Sequence, residues 1–304
     1  MAGPNYLRLE RGEVRRRADR AFALRSADGC ALCPGACRAR RDEGEQGRCL
    51  IGDKVVVSSV SPHFGEEPCL VGTGGSGTIF FSGCNLHCVF CQNHDVSSRP
   101  DIWREVTAQE LASFMLSLEA RGVENLNLVT PTHIVPEVLD ALDIAIEGGL
   151  TLPIVFNTSG YDAVVTLELL EGIVDIYMPD FKWSDPAAAK LCANAPDYPV
   201  VAQTALREMH RQVGDLVLDE RGVAIRGLLV RHLVLPNGLA GTAEVIRFLR
   251  EEISPRTCVN IMDQYQPAHL ARAMPELNRR VTEEEYDSAR RLAVDAGLRL
   301  ADEI

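Results

Sequence analysis

The sequence predicts an α/β fold, a partial (β/α)6 TIM-like barrel with a small cysteine-rich N-terminal element. Three observations support this prediction. From about residue 77 onward, short apolar segments alternate with amphipathic ones, which is typical of βα units around a parallel sheet. Cysteines and polar residues follow directly after several of the apolar segments. The first seventy residues lack this alternation and contain five of the ten cysteines.

Six segments are predicted to be the strands of the sheet. They are Gly77–Gly83, Asn125–Thr130, Leu152–Asn157, Val174–Pro179, Leu228–Pro236 and Cys258–Met262. Six βα units do not close an eight-stranded barrel, so we expect an open one. Its chemistry is expected at the carboxyl ends of the strands, where the βα loops converge.

Helices are predicted between the strands, for example at Thr107–Arg121 and Thr242–Ile253. Thr107 and Thr282 each precede a glutamate by three residues, which is a capping-box pattern, and Thr282 begins a final helix. Leu216–Arg226 is predicted to be a β-hairpin. We therefore divide the chain into a Cys-rich element, residues 1–70, and a βα domain with a C-terminal helix, residues 71–304.

The net charge of the chain argues against nucleic acid as a partner. There are 31 Lys and Arg against 43 Asp and Glu, a net charge of −12, whereas nucleic-acid binding needs a basic footprint. Ten arginines in residues 1–41 are interpreted as a solvated arm or helix face, with an RNA or acidic-partner contact as the alternative.

No apolar stretch predicts a membrane span or signal peptide, so a cytoplasmic location is expected. Cysteines in that compartment indicate metal or redox chemistry rather than disulfides.

Cys84, Cys88 and Cys91 follow the first predicted strand in the spacing C-x3-C-x2-C. Thiolates hold the irons of a cubane cluster, and three ligands from one loop leave one iron without a protein ligand. By analogy with catalytic zinc, such an incomplete set leaves a position for a reactant. The alternatives are a zinc site completed by His87 or His94, or packed cysteines. The spacing on a strand-end loop favours a [4Fe–4S] cluster.

The segment CNLHCVFC resembles the signature of the radical S-adenosylmethionine (SAM) superfamily. From about His63 to the C-terminal helix, the chain is similar to pyruvate formate-lyase activating enzyme-like proteins, which are relatives of the glycyl-radical-enzyme activases. The blocks that carry this resemblance are GSGTIFFSGCNLHCVFCQN, NLVTPTHIVP, VFNTSGY, VDIYMPDFK, LLVRHLVLP and VNIMDQY.

The resemblance implies a specific chemistry. The amino and carboxylate groups of SAM would chelate the open iron. An electron passed through the cluster would then split SAM into methionine and a 5′-deoxyadenosyl radical, which abstracts hydrogen from an unreactive C–H bond. The protein contributes orientation and exclusion of water. An external electron donor such as flavodoxin or ferredoxin is implied as a partner.

The resemblance also implies which residues contact SAM. Phe90 is expected along the adenine, with a core aromatic as the alternative. Where the superfamily often has Gly-Gly-Glu to bind the SAM amino group, this chain has Thr-Pro-Thr-His, so that ligand stays open, with Thr132 and His133 as candidates. Asn157 and Ser159 lie in a polar turn after the third predicted strand and fit the ribose and carboxylate of SAM.

Three charged residues complete the predicted site. Asp180 and Lys182 resemble the Asp-x-Lys of glycyl-radical activases. Lys182 would pair with the SAM carboxylate, and Asp180 would orient it or accept a hydrogen bond from the substrate backbone. The alternative is an ion pair on a solvated loop. Arg231 lies in an otherwise apolar strand, where a charge needs a partner, and the SAM carboxylate is a suitable one.

Cys30, Cys33, Cys37 and Cys49 form a second cysteine group. Four thiols with this spacing are able to complete a tetrahedral zinc site or to hold an auxiliary iron–sulfur cluster. Both occupants stay open, and thiols without a metal are the third alternative.

The leading functional hypothesis is a radical SAM oxidoreductase of the activating type, which abstracts hydrogen from a glycine Cα in a protein or peptide. One alternative is radical modification of a small metabolite or of RNA. The other is a noncatalytic iron–sulfur or metal-binding module, which would not consume SAM under reducing conditions. The substrate cannot be inferred from the fold, because one fold and cofactor serve many chemistries.

Overall fold

One large sheet forms the centre of the computed structural model, which describes residues 3–304. Its strands are β1 (Val55–His63), β2 (Ser76–Phe81), β3 (Arg104–Val106), β4 (Asn125–Val129), β5 (Ile154–Thr158), β6 (Ile176–Pro179), β7 (Val217–Leu218), β8 (Ala224–Leu233), β9 (Cys258–Met262) and β10 (Arg299–Leu300). Their order is β10-β9-β8-β6-β5-β4-β2-β1-β3, and β7 pairs with β8.

The six predicted strands are all present. Strands β2, β4, β5, β6, β8 and β9 pair in chain order, each parallel to the next, and the short β10 adds a seventh parallel strand beside β9. The α/β class is therefore confirmed. The sheet is open, with β3 and β10 at its ends, and the partial-barrel curvature stays a prediction. Every residue of β5 and β6 is buried, as expected of parallel strands covered on both faces.

Helices connect the parallel strands. The α-helices within residues 3–304 are α1 (Glu13–Ser26), α2 (Pro68–Val71), α3 (His94–Ser98), α4 (Ala108–Ala120), α5 (Val135–Glu147), α6 (Val164–Leu167), α7 (Pro186–Ala193), α8 (Tyr198–Val213), α9 (Thr242–Phe248) and α10 (Glu283–Asp295). Both predicted capping boxes are present, at Thr107 and at Thr282. The predicted hairpin is formed by β7 and β8. None of the described helices is long and apolar enough to span a membrane.

The N-terminal seventy residues contribute directly to the sheet. Strand β1 pairs antiparallel with both β2 and β3, which the sequence pattern did not indicate. The helix α1 packs along α5, and its Arg15, Arg16 and Arg20 are exposed, so the arginine-rich start forms a solvated helix face rather than an arm. Its Arg25 is buried and forms ion pairs with Glu137 and Asp42, and Arg15 pairs with Asp140. The division at residue 70 stays a prediction.

The loop Ser82–Asn93, which follows β2, lies against the N-terminal segment. The amide of Cys84 donates to the carbonyl of Cys49 at 3.2 Å. This close approach requires a glycine at position 83, where φ is +81°. A Cβ atom there would lie 2.5 Å from the Cys49 carbonyl oxygen and 2.6 Å from Cγ1 of Ile51. The glycine therefore allows the two backbone segments to pack together.

Replacing Gly83 with Ala should destabilise the protein more than the same change at Gly122. Both glycines have a left-handed φ, which costs alanine about 1–2 kcal/mol, but no atom lies within 4 Å of a Cβ at Gly122. The contact with Cys49 should add about 1–3 kcal/mol to the loss at Gly83. Urea unfolding of the two variants measures the difference, and equal losses would contradict the packing account.

Candidate active site

A cavity of about 580 Å³ lies at the carboxyl ends of the parallel strands. Each of the six predicted strands, or the loop after it, contributes to its wall. The residues that line the cavity include Cys84, Cys88, Phe90, Cys91, Ser97, Thr130, Asn157, Thr158, Ser159, Asp180, Lys182, Arg231, Asn260, Met262 and Gln264, together with His63, Gly65, Glu66 and Glu67, at the end of β1 and after it. The carboxyl ends of the strands therefore meet at one cavity, which is where the chemistry is expected.

The three cysteines of the C-x3-C-x2-C motif all line this cavity. Donors point at two of their sulfur atoms: the amide of Leu86 lies 3.4 Å from Sγ of Cys84, and the hydroxyl of Ser97 lies 3.5 Å from Sγ of Cys91. Burial raises the pKa of Cys84, and the amides of His87 and Leu86 act against this rise. Such donors stabilise a thiolate, which is the form that binds metal.

The three thiols match the ligand set of a [4Fe–4S] cluster with one open iron. They lie on one cavity wall, and donors point at two of their sulfurs. Within residues 3–304, no three side chains of His, Cys, Asp or Glu are grouped closely enough to hold one metal ion as they stand, which applies to both cysteine groups alike. The role of Cys84, Cys88 and Cys91 as cluster ligands stays a prediction.

Phe90 was predicted to lie along the adenine of SAM or to be a core aromatic, and its position combines features of the two. It lines the cavity, yet it is only 5% exposed, because its ring packs edge-to-face on Trp183 and Tyr265. Tyr265 itself is buried and donates to the carbonyl of Leu277, so it supports Phe90 from behind. A rigid aromatic wall beside the cysteines is suited to stacking on a planar ring.

Thr132 and His133 do not line the cavity, contrary to their predicted placement. The hydroxyl of Thr132 donates to the buried carboxylate of Asp162 at 2.6 Å. His133 donates from Nε2 to the carbonyl of Ser82 at 2.9 Å, and burial lowers its pKa to about 3. Both side chains hold the framework instead. Thr130, at a φ of +61°, is the residue after β4 that lines the cavity.

Asp162 is a residue that the sequence analysis missed. Its two carboxylate oxygens accept hydrogen bonds from Thr132 and Thr158, which joins the ends of β4 and β5. Burial raises the pKa of Asp162 to about 6, and the two threonine hydroxyls act against this rise. Thr158 lies between Asn157 and Ser159, so the network fixes the turn that carries those two cavity residues. A lone aspartate after a polar turn has no spacing that would have revealed this role.

Asp180 and Lys182 form an ion pair on the cavity wall, as the sequence suggested. Burial opposes the charge of Lys182, but Asp180 and the thiols of Cys88 and Cys91 outweigh it and raise the lysine pKa. The amide of Lys182 also donates to the hydroxyl of Tyr198 at 2.9 Å. A fixed ammonium group therefore lines the same cavity as the three cysteines.

Arg231 lines the cavity, but the protein supplies its partner. Its guanidinium donates to both oxygens of Glu67 at 2.7 Å, and it also pairs with Glu66. Glu67 is buried, yet Arg231 and a hydrogen bond from Asn260 outweigh burial and lower the pKa of its carboxyl. A SAM carboxylate would have to compete with Glu67, so binding of SAM by Arg231 stays a prediction.

Replacing Arg231 with Met leaves the buried carboxylates of Glu66 and Glu67 without their cation, so the free energy of unfolding should fall by about 3–5 kcal/mol. Adding Glu66→Gln and Glu67→Gln to the same chain removes both charges and keeps an acceptor for Asn260, so it should restore most of the loss. Urea unfolding at neutral pH compares the two variants. If the triple variant is no more stable than the single one, the ion pairs do not have this role.

Comparison with known proteins finds relatives of this chain and solved structures with a similar fold. The chain is 32% identical over 274 residues to the uncharacterized protein MJ0674 of Methanocaldococcus jannaschii, covering 87% of this chain and 74% of the relative. It is 25% identical over 298 residues to the uncharacterized protein MJ0808 of the same organism, covering 89% of this chain and 79% of the relative. No family model matches the chain.

One structural neighbour is a radical SAM methyltransferase from Sphaerobacter thermophilus. Its crystal structure superposes with a TM-score of 0.52 and 15% sequence identity, covering 94% of this chain and 87% of the neighbour. At this identity the likeness establishes the fold alone, and that fold agrees with the resemblance drawn from CNLHCVFC. The chain shares its fold with a radical SAM enzyme and belongs to the family that includes the uncharacterized protein MJ0674.

Proposed function

We propose that this protein is a radical SAM enzyme of the activating type, which abstracts hydrogen from a glycine Cα of a protein or peptide. The observation that carries the proposal is the arrangement of one cavity. The three cysteines of the C-x3-C-x2-C loop and the polar ends of the following strands converge on it. Fold likeness to a radical SAM methyltransferase supports the same class of chemistry.

Cys84, Cys88 and Cys91 would hold the [4Fe–4S] cluster, and SAM would lie against Phe90 and the turn of Asn157 and Ser159. When bound, these groups supply the reductive cleavage of SAM to methionine and a hydrogen-abstracting 5′-deoxyadenosyl radical. Backbone amides at Cys84 and the ammonium group of Lys182 at Cys88 act against the rise in thiol pKa that burial causes, and the chain limits the access of water to the cavity. Phe90, itself nearly unexposed, provides an apolar wall for that purpose.

Lys182 and Asp180 have distinct parts in this proposal. The ammonium group of Lys182 lowers the pKa of Cys88, although burial of that thiol dominates and raises it overall. Lys182 therefore favours the thiolate, and it also offers a cation to a carboxylate of SAM or substrate. Asp180 holds the ammonium in place through their ion pair. Its other oxygen is suited to accepting a hydrogen bond from a substrate backbone amide.

Two features support a protein or peptide substrate. The Asp-x-Lys sequence after β6 resembles that of the glycyl-radical activases. In addition, Phe64 is 64% exposed and lies between His63 and Gly65, which both line the cavity. An exposed aromatic residue beside a cavity is typical of a surface that binds another chain. An external one-electron donor such as flavodoxin or ferredoxin is part of the proposal.

The structural neighbour supports a second candidate. Because it is a methyltransferase, radical modification of a small metabolite or of RNA fits the shared fold equally well. A noncatalytic iron–sulfur module is the third candidate. The arginines of α1 that pair with acidic residues weigh against an RNA-docking role for that helix.

The test uses protein from source cells grown on glycine deuterated at Cα. Anaerobically reconstituted enzyme is reduced, mixed with SAM and this protein fraction, and the 5′-deoxyadenosine formed is analysed by mass spectrometry. The abstracted deuterium should appear at the 5′ carbon, because that carbon accepts the hydrogen. Unlabelled 5′-deoxyadenosine would reject the glycine substrate, and absence of 5′-deoxyadenosine would reject radical SAM chemistry.

A matched pair of triple variants provides the control. Cys84→Ala, Cys88→Ala and Cys91→Ala together should abolish formation of 5′-deoxyadenosine, since no iron remains to bind SAM. The same substitutions at Cys69, Cys192 and Cys258, which are buried among apolar side chains, should retain SAM cleavage in the folded fraction. Equal activity in the two triple variants would contradict the assignment of the cluster ligands.

A further inference from the structure

The fold brings the four cysteines of the N-terminal element together. The amide of Arg38 donates to the carbonyl of Cys30 at 3.1 Å, and the amide of Cys30 donates to the carbonyl of Ala39 at 3.0 Å. These bonds bring Cys37 next to Cys30, and Cys33 lies in the loop between them. A Cβ atom at Gly47 would lie 3.3 Å from Sγ of Cys49 and 3.4 Å from Sγ of Cys37, so these two sulfurs flank the same glycine. The four thiols are neighbours, and metal binding has to draw them into one coordination set.

Two tight turns present these sulfurs. The amide of Ala36 donates to the carbonyl of Cys33 at 2.9 Å, and the amide of Leu50 donates to the carbonyl of Gly47 at the same distance. Within the turns, burial raises the pKa of both thiols, and the backbone amide of Gly35 acts against this rise at Cys33, as that of Ile51 does at Cys49. Backbone N–H groups directed at sulfur stabilise thiolates. In the active-site loop, the amide of Leu86 donates to Sγ of Cys84 in the same way.

A buried cation lies beside the four thiols. Arg41 is fully buried, and its Nη1 lies 3.9 Å from Sγ of Cys30. Its other bonds go to the carbonyls of Gly52 and His133, and its Nη2 has no hydrogen-bond partner. A buried guanidinium group needs a nearby anion to offset its desolvation. Four thiolates around a zinc ion or an iron–sulfur core carry net negative charge and would provide it.

We propose that Cys30, Cys33, Cys37 and Cys49 bind a second thiophilic metal centre, a zinc ion or an iron–sulfur cluster, with Arg41 as its buried counter-charge. Four protein thiolates fill every ligand position, so this centre has no open place for SAM. It differs in this respect from the three-cysteine site. A structural or electron-carrying role follows from the closed ligand set.

The second centre would also support the active-site loop. The carbonyl of Cys49 accepts from the amide of Cys84 at 3.2 Å, and the carbonyl of Arg48 accepts from Nε2 of His87 at 2.6 Å. Metal binding at Cys49 would fix these two carbonyls. The short N-terminal segment has few means of holding its own shape, and a metal contributes folding free energy directly.

The experiment uses the full chain with Cys84, Cys88 and Cys91 replaced by Ala, so that only the second centre is counted. After anaerobic supply of zinc, iron and sulfide, this chain should retain one zinc or about four irons per molecule. Adding Cys33→Ala and Cys37→Ala leaves only two of the four thiols, so it should remove that metal and lower the unfolding temperature. Cys37 is exposed and Cys33 is partly exposed, so without a metal the same changes should have little effect.

The control adds Cys258→Ser to the same background, which costs packing but should leave the metal in place. Chelation of the background chain gives the stability effect without a further substitution. Zinc identifies a structural ion and iron with sulfide identifies a cluster, and either result supports the proposal. Metal content that is absent from the background chain, or unchanged by Cys33→Ala with Cys37→Ala, would overturn it. Neither result depends on SAM cleavage, so the proposed function is tested separately.

Discussion

The loop Ser82–Asn93 is the part of the structure on which the site depends, because it carries the cysteines yet lies outside the helices and strands. Long-range hydrogen bonds shape it instead. Its backbone bonds to Cys49 in the N-terminal segment and to Cys192 at the end of α7, and the amide of Ala271 donates to the carbonyl of Val89. Asn85 donates to the carbonyl of Tyr161 at 2.7 Å. Four distant segments therefore determine where the thiols lie.

This arrangement explains which features were predictable from the sequence. Parallel strands are buried on both faces and read as apolar runs, so the six longer ones appeared in the sequence pattern. The cysteine spacing and the Asp180 and Lys182 pair are local features and were also visible. The contacts that complete the site join residues far apart in the chain, such as Glu67 and Arg231. No periodicity records such pairs, and β1 was missed for the same reason.

Arg231 and His133 were both predicted to contact SAM, and in the structure both have partners within the protein. Arg231 was selected because a charge in an apolar strand needs a partner, and His133 because it stands where the superfamily often binds the SAM amino group. In the structure Arg231 pairs with Glu67, and His133 donates to the carbonyl of Ser82. Binding of SAM by Arg231 stays a prediction. The protein uses these side chains to hold β1, β8 and the cysteine loop in register. The residues that line the cavity, such as Thr130, form the smaller set available to a ligand.

The central claim is that the cysteine loop holds a cluster with one iron open to SAM. Electron paramagnetic resonance of the reduced, reconstituted protein, recorded before and after addition of SAM, tests it most directly. The account predicts that SAM changes the spectrum of the reduced cluster, because it binds to the open iron, whereas a cluster with four thiolate ligands would not respond. A spectrum that SAM leaves unchanged would contradict the account.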